Sequence, residues 1–594
     1  MLTFIKRIKE FISSQWNDRS CDPLSYLALG SGKGRVARWE LWIIFSFMIL
    51  SLIYILPTLG KIHNYSTGDG ESYQTVNAVI NTSIKDYHQA PLWNPYSGGG
   101  NVLHAHPESN YLSPLYLPVL LLGVAIGVKV QAALYYFLGL SGMYLLCRYL
   151  NFKIIPSIAA AILFSFNSYC ANHLNLGYFI WMTVMWLPWI FMFYLKSYSD
   201  RKSIVWCALV LALMLFEGGV HNLIMIMSFL AIFTIFASAR DRCIKPILIL
   251  LSVCGLFVLI SGIKVFPMME FLDEYSRKAT GMKLPFVPYW TLLISLLDRG
   301  YYGPYFILPQ PNFTSQEFGA YIGIIPFLVI LAGSVRCFKK YWPIIAAMII
   351  FVLISFGRGT WIDIWPVIKY LPGFNNQFIT VRNVIIVVFC ASLILGYFLS
   401  RFSLERLGNV LFLAAVIVVA ADLIHLGWYY LAPFPSPPPK VSTDVRFVQD
   451  SSQRLYPTFL KGHGNLQFWR PARVPPYAKS IKDPGYRGEV YLLEGNGKAA
   501  ITAFSPNRLK ISYEAGDDDA LVVNQNYFRG WHGSSINTSR VYSMDGLIAV
   551  DVQKGKGTLK LYYLPESFIV GIVLSFIGII ASILIVARKR PVQP

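Results

Sequence analysis

The chain has 594 residues, 55% of them hydrophobic and only 14% charged, with a mean hydropathy of +0.49 and a formal net charge of +20. Soluble globular proteins carry about 25% charged residues, so this composition excludes an ordinary soluble enzyme. It also argues against nucleic acid as a partner, because the basic residues punctuate apolar runs instead of forming the basic face of a soluble domain.

In chain order, residues 1–38 come first, with Lys6, Arg7, Lys9, Lys33, Arg35 and Arg38, and read as a cytoplasmic segment. The apolar run Leu41–Leu56 follows. A segment this long and charged ahead of it, with no small-residue cleavage site behind it, predicts a retained anchor and not a cleaved signal peptide. The runs Trp342–Phe356, Val381–Leu399, Val410–Leu431 and Phe568–Val586 reach or approach the roughly 20 residues that a helix needs to cross a bilayer. Cations stand between the runs, at Arg148/Lys153, Lys196/Arg201/Lys202, Arg240/Arg242/Lys245, Arg336/Lys339/Lys340, Arg401/Arg406 and Arg588/Lys589/Arg590. Short loops rich in Lys and Arg stay in the cytoplasm, so the spans pair off to about twelve with both termini inside.

This alternation sends four segments outward: His63–Tyr111, Lys264–Ala320, Gly357–Thr380 and Pro433–Pro565. The stretch Pro433–Pro439 (PFPSPPP) reads as a stiff, extended linker. Beyond it, Ala500–Ala515, Leu521–Tyr527, Leu547–Val552 and Thr558–Tyr563 alternate or are β-branched and aromatic, which predicts a small β-sandwich or β-barrel. The expected division is a membrane module over 39–432 with outer loops 63–111, 264–320 and 357–380. A β-rich outer domain over 433–565, a last span over 566–587 and a cytoplasmic tail over 588–594 follow. None of the eight cysteines falls in the β-rich segment, so neither a disulfide framework nor a zinc site is expected.

The outer loops hold the chemistry-bearing residues. The first contains Gly68-Asp69-Gly70-Glu71, then Pro91–Gly100 with Trp93 and Asn94, then His104, His106 and Glu108. An acidic turn just beyond a span, braced by Gly and aromatic residues, suits a general base that activates a hydroxyl; the alternative is a solvated turn. His104, His106 and Glu108 stand at i, i+2 and i+4 but match no metal motif of specific spacing, so polar packing of the loop is the simpler reading. Glu217 and His221 flank the turn Phe-Glu-Gly-Gly-Val-His between two runs, where ionisable groups at membrane depth are costly and often functional. Lys264, Arg277 and Lys278 in the second outer segment, and Arg382 at the end of the third, could grip a lipid phosphate or only meet headgroups.

Taken together, these segments resemble the bacterial YfhO-like membrane proteins of the glycosyltransferase C (GT-C) superfamily. The resemblance is carried by Gly68-Asp69, Pro91–Gly100, Pro107-Glu-Ser109, Ser113-Pro114, Leu187-Pro188, Pro267 with Ser276-Arg277, Glu317 with Tyr321-Ile-Gly323, and Leu371-Pro-Gly-Phe374 with Arg382. In the C-terminal part it rests on Ser505-Pro-Asn-Arg508, Asn526–Trp531, Asp545-Gly546 and Tyr562–Pro565. Arg529 and Glu108 stand where the family commonly has proline and glutamine. The resemblance implies a GT-C-like helical bundle in the cytoplasmic (inner) membrane. Its implied activity moves a sugar from a polyprenyl-phosphate donor to an envelope glycan, lipid or polymer acceptor on the outer face, with Asp69 as base.

The roles expected on this basis are Asp69 as base with Glu71 or Glu108 in support, and Lys264, Arg277, Lys278 and Arg382 as the donor-phosphate grip. Trp93, Asn94, His106, Glu217, His221, Glu317 and Tyr321 are expected to line the substrate pocket. No cofactor is required; Mg²⁺ or Mn²⁺ is compatible, but lysine and arginine can neutralise the leaving phosphate. Two competing readings are a transporter or flippase for a lipid-linked saccharide and a non-catalytic envelope assembly protein.

Overall fold

The structure, a computed structural model, describes residues 22–29, 36–66, 69–175, 177–275, 289–299, 317, 319–358, 362–371, 373–374, 377, 379–402, 406–431, 436–437, 446–467, 475–534 and 540–588. Long apolar segments fold as helices because in a bilayer each backbone polar group must find its partner within the segment. Eight helices among the described residues are long and apolar enough to cross: Val124–Tyr149, Ile154–Asn175, Phe179–Lys196, Val220–Asp241, Ile324–Phe356, Thr380–Ser400, Val410–Leu431 and Glu566–Ala587. Lys245–Ile260 and Gly262–Glu274 form a further candidate, broken by a bend of 83°. The chain is therefore a multi-pass helical membrane protein.

Some expected spans take another form. The first apolar run gives Leu41–Tyr54, of 14 residues, with the separate turn Leu56–Leu59 behind it, and Lys202–Phe216 has 15. At about 1.5 Å per residue both fall short of a hydrocarbon core about 30 Å thick. The loop expected at Arg336/Lys339/Lys340 is helical and lies inside Ile324–Phe356, of 33 residues, because no Gly or Pro stands between Gly333 and Pro343 to break it. That helix is bent. Near its start, the Tyr321 amide donates to Ser168 Oγ, and near its end Thr380 Oγ1 donates to the Ser355 carbonyl, while Glu317 and Arg382 form an ion pair.

The middle of that helix lies at the opposite end of the bundle. Lys340 Nζ donates to the Ala28 carbonyl at 3.1 Å, Arg240 donates to the Lys340 carbonyl at 3.0 Å, and the Arg240 guanidinium lies 4.0 Å over the Tyr26 ring. Lys153 reaches the Phe402 carbonyl, and Arg148 pairs with buried Glu40 at 2.7 Å. One end of the bundle thus collects cations that the sequence scatters between apolar runs. Cys243, beside this end, is disulfide-bonded, and Cys147, Cys170, Cys207, Cys254, Cys337 and Cys390 are free thiols.

The other end carries the β structure. Two short ribbons, β1 (Trp93–Asn94) with β2 (Asn101–Val102) and β3 (Gln449–Asp450) with β4 (Gly464–Asn465), accompany eight longer strands. These are β5 (Val490–Leu492), β6 (Gly497–Ser505), β7 (Arg508–Ala515), β8 (Asp519–Asn526), β9 (Trp531–Ser534), β10 (Val541–Met544), β11 (Leu547–Val552) and β12 (Gly555–Tyr563). They form two antiparallel four-stranded sheets, β10-β11-β8-β5 and β6-β7-β12-β9. Strict alternation explains the sandwich: Leu509 and Ile511 of β7 and Leu559 and Leu561 of β12 turn inward, while Arg508, Lys510, Lys560 and Tyr562 turn out.

The sandwich does not have a core of its own. Leu92, Trp93, Val102 and Ala105 of the 63–111 loop, and Phe271 beyond the 83° bend, join Val490, Ile511, Leu521, Ile548 and Leu561 in one apolar cluster. Trp93 is fully buried, donates from Nε1 to Gln525 Oε1 at 2.9 Å, and meets Trp531 edge-on at 5.3 Å. Gly98, Gly99 and Gly100 have φ of 67°, 75° and 101°, a conformation that disfavours side chains, and a Cβ on Gly99 would stand 2.9 Å from the Ala478 side chain. The expected boundary at residue 433 therefore separates the chain but not the packing. Most of the proline linker lies outside the described residues; Ser436 bridges to Tyr65.

Candidate active site

Asp69 is the first residue of the helix Asp69–Lys85, and its side chain is half-buried. Tyr178 Oη donates to Asp69 Oδ2 in a short hydrogen bond. Oδ1 makes no hydrogen bond among the described residues. Tyr178 follows the helix Ser168–Asn175, which is offset from Ile154–Phe166 by extended backbone at Asn167 (φ −55°, ψ 155°). Asn167 Oδ1 accepts from the Tyr169 amide at 3.0 Å, so the side chain that marks the break also caps the next helix.

That half-helix leads to the cation. His173 lies with its ring 6.4 Å from that of Tyr178, and its Nε2 is 3.9 Å from Glu317 Oε2. Glu317 accepts two hydrogen bonds of 2.5 Å from Arg382 Nε and Nη2, a bidentate pair with both side chains largely buried. Burial alone would raise the Glu317 carboxyl, but the Arg382 charge and its hydrogen bonds hold it below the usual carboxylate range. The guanidinium also lies 4.5 Å over the Trp181 ring, whose indole stacks on His221 at 5.5 Å and 13°. Arg382 Nη1 makes no hydrogen bond among the described residues. Asp69, Tyr178, His173, Glu317 and Arg382 thus form a continuous chain of side chains.

Several buried polar atoms beside this chain have no hydrogen-bond partner among the described residues: Tyr169 Oη, both amide atoms of Asn172, and His173 Nε2. All three residues are at most 1% exposed. Unsatisfied polar groups at such depth are costly, and their concentration on one half-helix marks that segment as a candidate functional element. The signal in the sequence is the polar interruption Asn167-Ser168 to Asn172-His173 within an otherwise apolar run. Tyr178, Trp181, His173, Asn172 and Tyr169 were all missed by reading the outer loops alone.

The other expected site residues take various places. Glu71 is buried and committed to Arg454 Nε at 2.9 Å and the Tyr456 amide at 3.0 Å, so it ties the helix to Leu455–Leu460. Glu108 accepts from Tyr73 Oη at 2.9 Å, and Tyr73 meets Tyr178 edge-on, which leaves Glu108 one ring removed from the Asp69 bond. Lys264 is buried and donates to the carbonyls of His104, His106 and Ser109 at 2.9, 2.7 and 3.2 Å; it braces the loop from within. Trp93 faces the sandwich core, and Asn94 Oδ1 accepts from the Tyr96 amide nearby. His106 packs its ring 5.6 Å from Phe271. Glu217 accepts from Ser113, Tyr135 and Trp186 at 2.7–2.8 Å, a closed buried network. Tyr321 Oη donates to Asp422 at 2.7 Å. Arg277 and Lys278 lie outside the described residues.

Chemically, the cluster offers an acceptor oxygen on Asp69, a guanidinium edge on Arg382, and aromatic walls between them. Among the described residues, no group of three or more His, Cys, Asp or Glu side chains could hold a metal ion. No protein-family model and no curated protein matches the chain.

Proposed function

We propose that the protein is a membrane glycosyltransferase of the GT-C type, similar to the YfhO-like proteins, that transfers a sugar from a polyprenyl-phosphate donor to an envelope acceptor. One observation carries the reading: Tyr178 links Asp69 to the neighbourhood of the Glu317–Arg382 pair. Transfer from a lipid phosphate needs a base at the acceptor hydroxyl and positive charge at the departing phosphate, in a site with little water. In this reading Asp69 Oδ1 takes the acceptor proton as the hydroxyl oxygen attacks the anomeric carbon. The bond from that carbon to the phosphate oxygen breaks, and the phosphate leaves with its electron pair toward Arg382 Nη1. The guanidinium neutralises the leaving group, so a divalent cation is not required.

The same reading places about twelve spans in the cytoplasmic membrane, with the short and bent helices counted and the basic end and both termini inside. The cluster from Asp69 to Arg382 and the sandwich then face outward, where lipid-linked sugars are consumed. The test is transfer of labelled sugar from polyprenyl phosphate in membranes that contain the protein. Asp69→Asn should express normally and abolish transfer; full activity would remove Asp69 from the mechanism.

A second reading, a transporter or flippase for a lipid-linked saccharide, is favoured by the interrupted helices at Asn167 and at the 83° bend, a pattern that transporters use at binding sites. Reconstituted vesicles separate the two: translocation of the lipid without modification of an acceptor would support the transporter.

A further inference from the structure

The outer face of the sheet β6-β7-β12-β9 carries a cleft of about 560 Å³ lined by Ser505, Arg508, Lys510, Ser534, Lys560 and Tyr562. Register brings its cations together. Lys510 of β7 stands directly opposite Lys560 of β12, and Arg508, two residues along β7, stands opposite Tyr562. Like charges placed directly across a sheet destabilise it, so this pairing works against the fold. Further along the same two strands, the arrangement is the ordinary one: Lys556 stands opposite Glu514 and pairs with it at 3.2 Å, and nearby Lys554 reaches Asp517 at 3.5 Å. The side chains of Arg508, Lys510 and Lys560 make no ion pair among the described residues. The cleft also presents an aromatic surface, since Tyr562 is 39% exposed and stacks on His532 at 5.2 Å and 23°.

We infer that this cleft is a binding site for an anionic saccharide chain. Its carboxylate or other acidic groups would lie against Arg508, Lys510 and Lys560, and a sugar ring would lie against Tyr562 with the Ser534 hydroxyl beside it. Three cations that make no ion pair among the described residues give charge density within two strand rows, and a wall with the Phe504 and Tyr562 rings and the Ser534 hydroxyl gives shape for a sugar. Flat recognition of headgroups needs no such wall. The inference does not rest on the transferase reading, because it concerns only the sheet and none of the residues around Asp69 and Arg382.

The test uses full-length protein in nanodiscs of neutral phosphatidylcholine, titrated with a heparin-derived hexasaccharide and, separately, with a neutral maltohexaose. The hexasaccharide should bind with an affinity that falls as salt rises, and maltohexaose should bind far more weakly. The triple variant Arg508→Gln/Lys510→Gln/Lys560→Gln should lose about tenfold or more in affinity, whereas Lys554→Gln/Lys556→Gln should lose little. Because Lys510 opposes Lys560, Lys510→Thr should leave the melting temperature unchanged or raise it while it weakens binding, which separates loss of ligand from loss of fold. Equal loss in the triple and control variants would overturn the inference. So would hexasaccharide binding that the triple variant retains while binding to phosphatidylglycerol vesicles disappears, since the cleft would then be a headgroup site.

Discussion

Tyr178 donates its phenolic hydrogen to Asp69 across 109 residues of chain, and so joins the start of the helix Asp69–Lys85 to the segment just after the half-helix that carries His173. Neither residue hydrogen-bonds to Arg382 among the described residues. Through Tyr178, His173 and Glu317 the carboxylate and the guanidinium come to share one neighbourhood.

In the proposed mechanism Tyr178 is a positioning residue that orients Asp69 so that Oδ1 faces the acceptor. Tyr178→Phe keeps the ring and removes the bond. A hydrogen bond to a charged group is worth about 1.5–3 kcal/mol, so kcat should fall roughly 10- to 100-fold with little change in the donor KM. Steady-state kinetics with varied donor checks the split. A rise in KM at constant kcat would assign Tyr178 to binding instead.

The Glu317–Arg382 pair permits a separate test of charge and stability. Removal of one partner strands a buried charge and costs about 3–5 kcal/mol, so Arg382→Gln should lower the melting temperature of the purified protein markedly. The double variant Glu317→Gln/Arg382→Gln should recover most of that loss, because no unpaired charge remains. Its transfer activity should stay absent, since the cation that meets the phosphate is gone. Activity in the double variant would show that the pair serves only the fold.

Trp93 tests whether the first loop and the sandwich are one packing unit. Trp93→Ala empties a fully buried site between Gln525, Trp531 and Tyr563, and should cost about 3–5 kcal/mol. Limited proteolysis should then cut both the 86–105 loop and the sandwich faster than in the parent protein. Faster cleavage confined to the loop would indicate that the sandwich stands by itself.

Glu489 gives the sandwich a pH dependence. Burial pushes its carboxyl from the ordinary 4.5 up to about 7, against hydrogen bonds from the Gln449 amide, Tyr486 Oη and Asn524 that lower it. A raised pKa means that the folded state binds the proton more tightly than the unfolded chain. The stabilisation is therefore fully present below about pH 4.5 and is lost as pH rises through 7, amounting to roughly 3 kcal/mol. Melting temperatures of the full-length protein should fall between pH 5 and pH 8, and Glu489→Gln should flatten that part of the profile.

The strands of the sandwich were legible in the sequence because alternation has a period of two and needs no partner to be seen: Leu547–Val552 is a strand with the expected bounds, and Ala500–Ala515 covers most of β6, which begins at Gly497, the turn Pro506-Asn507 and all of β7. Lys264 and Trp93 were harder. A cation and an indole in a loop look alike whether they face a substrate or brace the fold, and their partners, such as Gln525, lie up to 432 residues away. The cationic run at Arg336–Lys340 has the composition of a loop but no residue that breaks a helix, so the backbone continues through it. Tyr178 and His173 escaped notice because helix-period and loop arguments both pass over a polar interruption inside an apolar run. Only the fold brings that interruption to Glu317 and Arg382.

The most direct measurement is a structure of the full-length protein with a non-hydrolysable polyprenyl-phosphate sugar bound. The account predicts the phosphate against Arg382 Nη1, with the anomeric carbon turned toward Asp69 Oδ1 and the Tyr178 bond intact. A phosphate seated elsewhere, with Asp69 remote from the sugar, would contradict it.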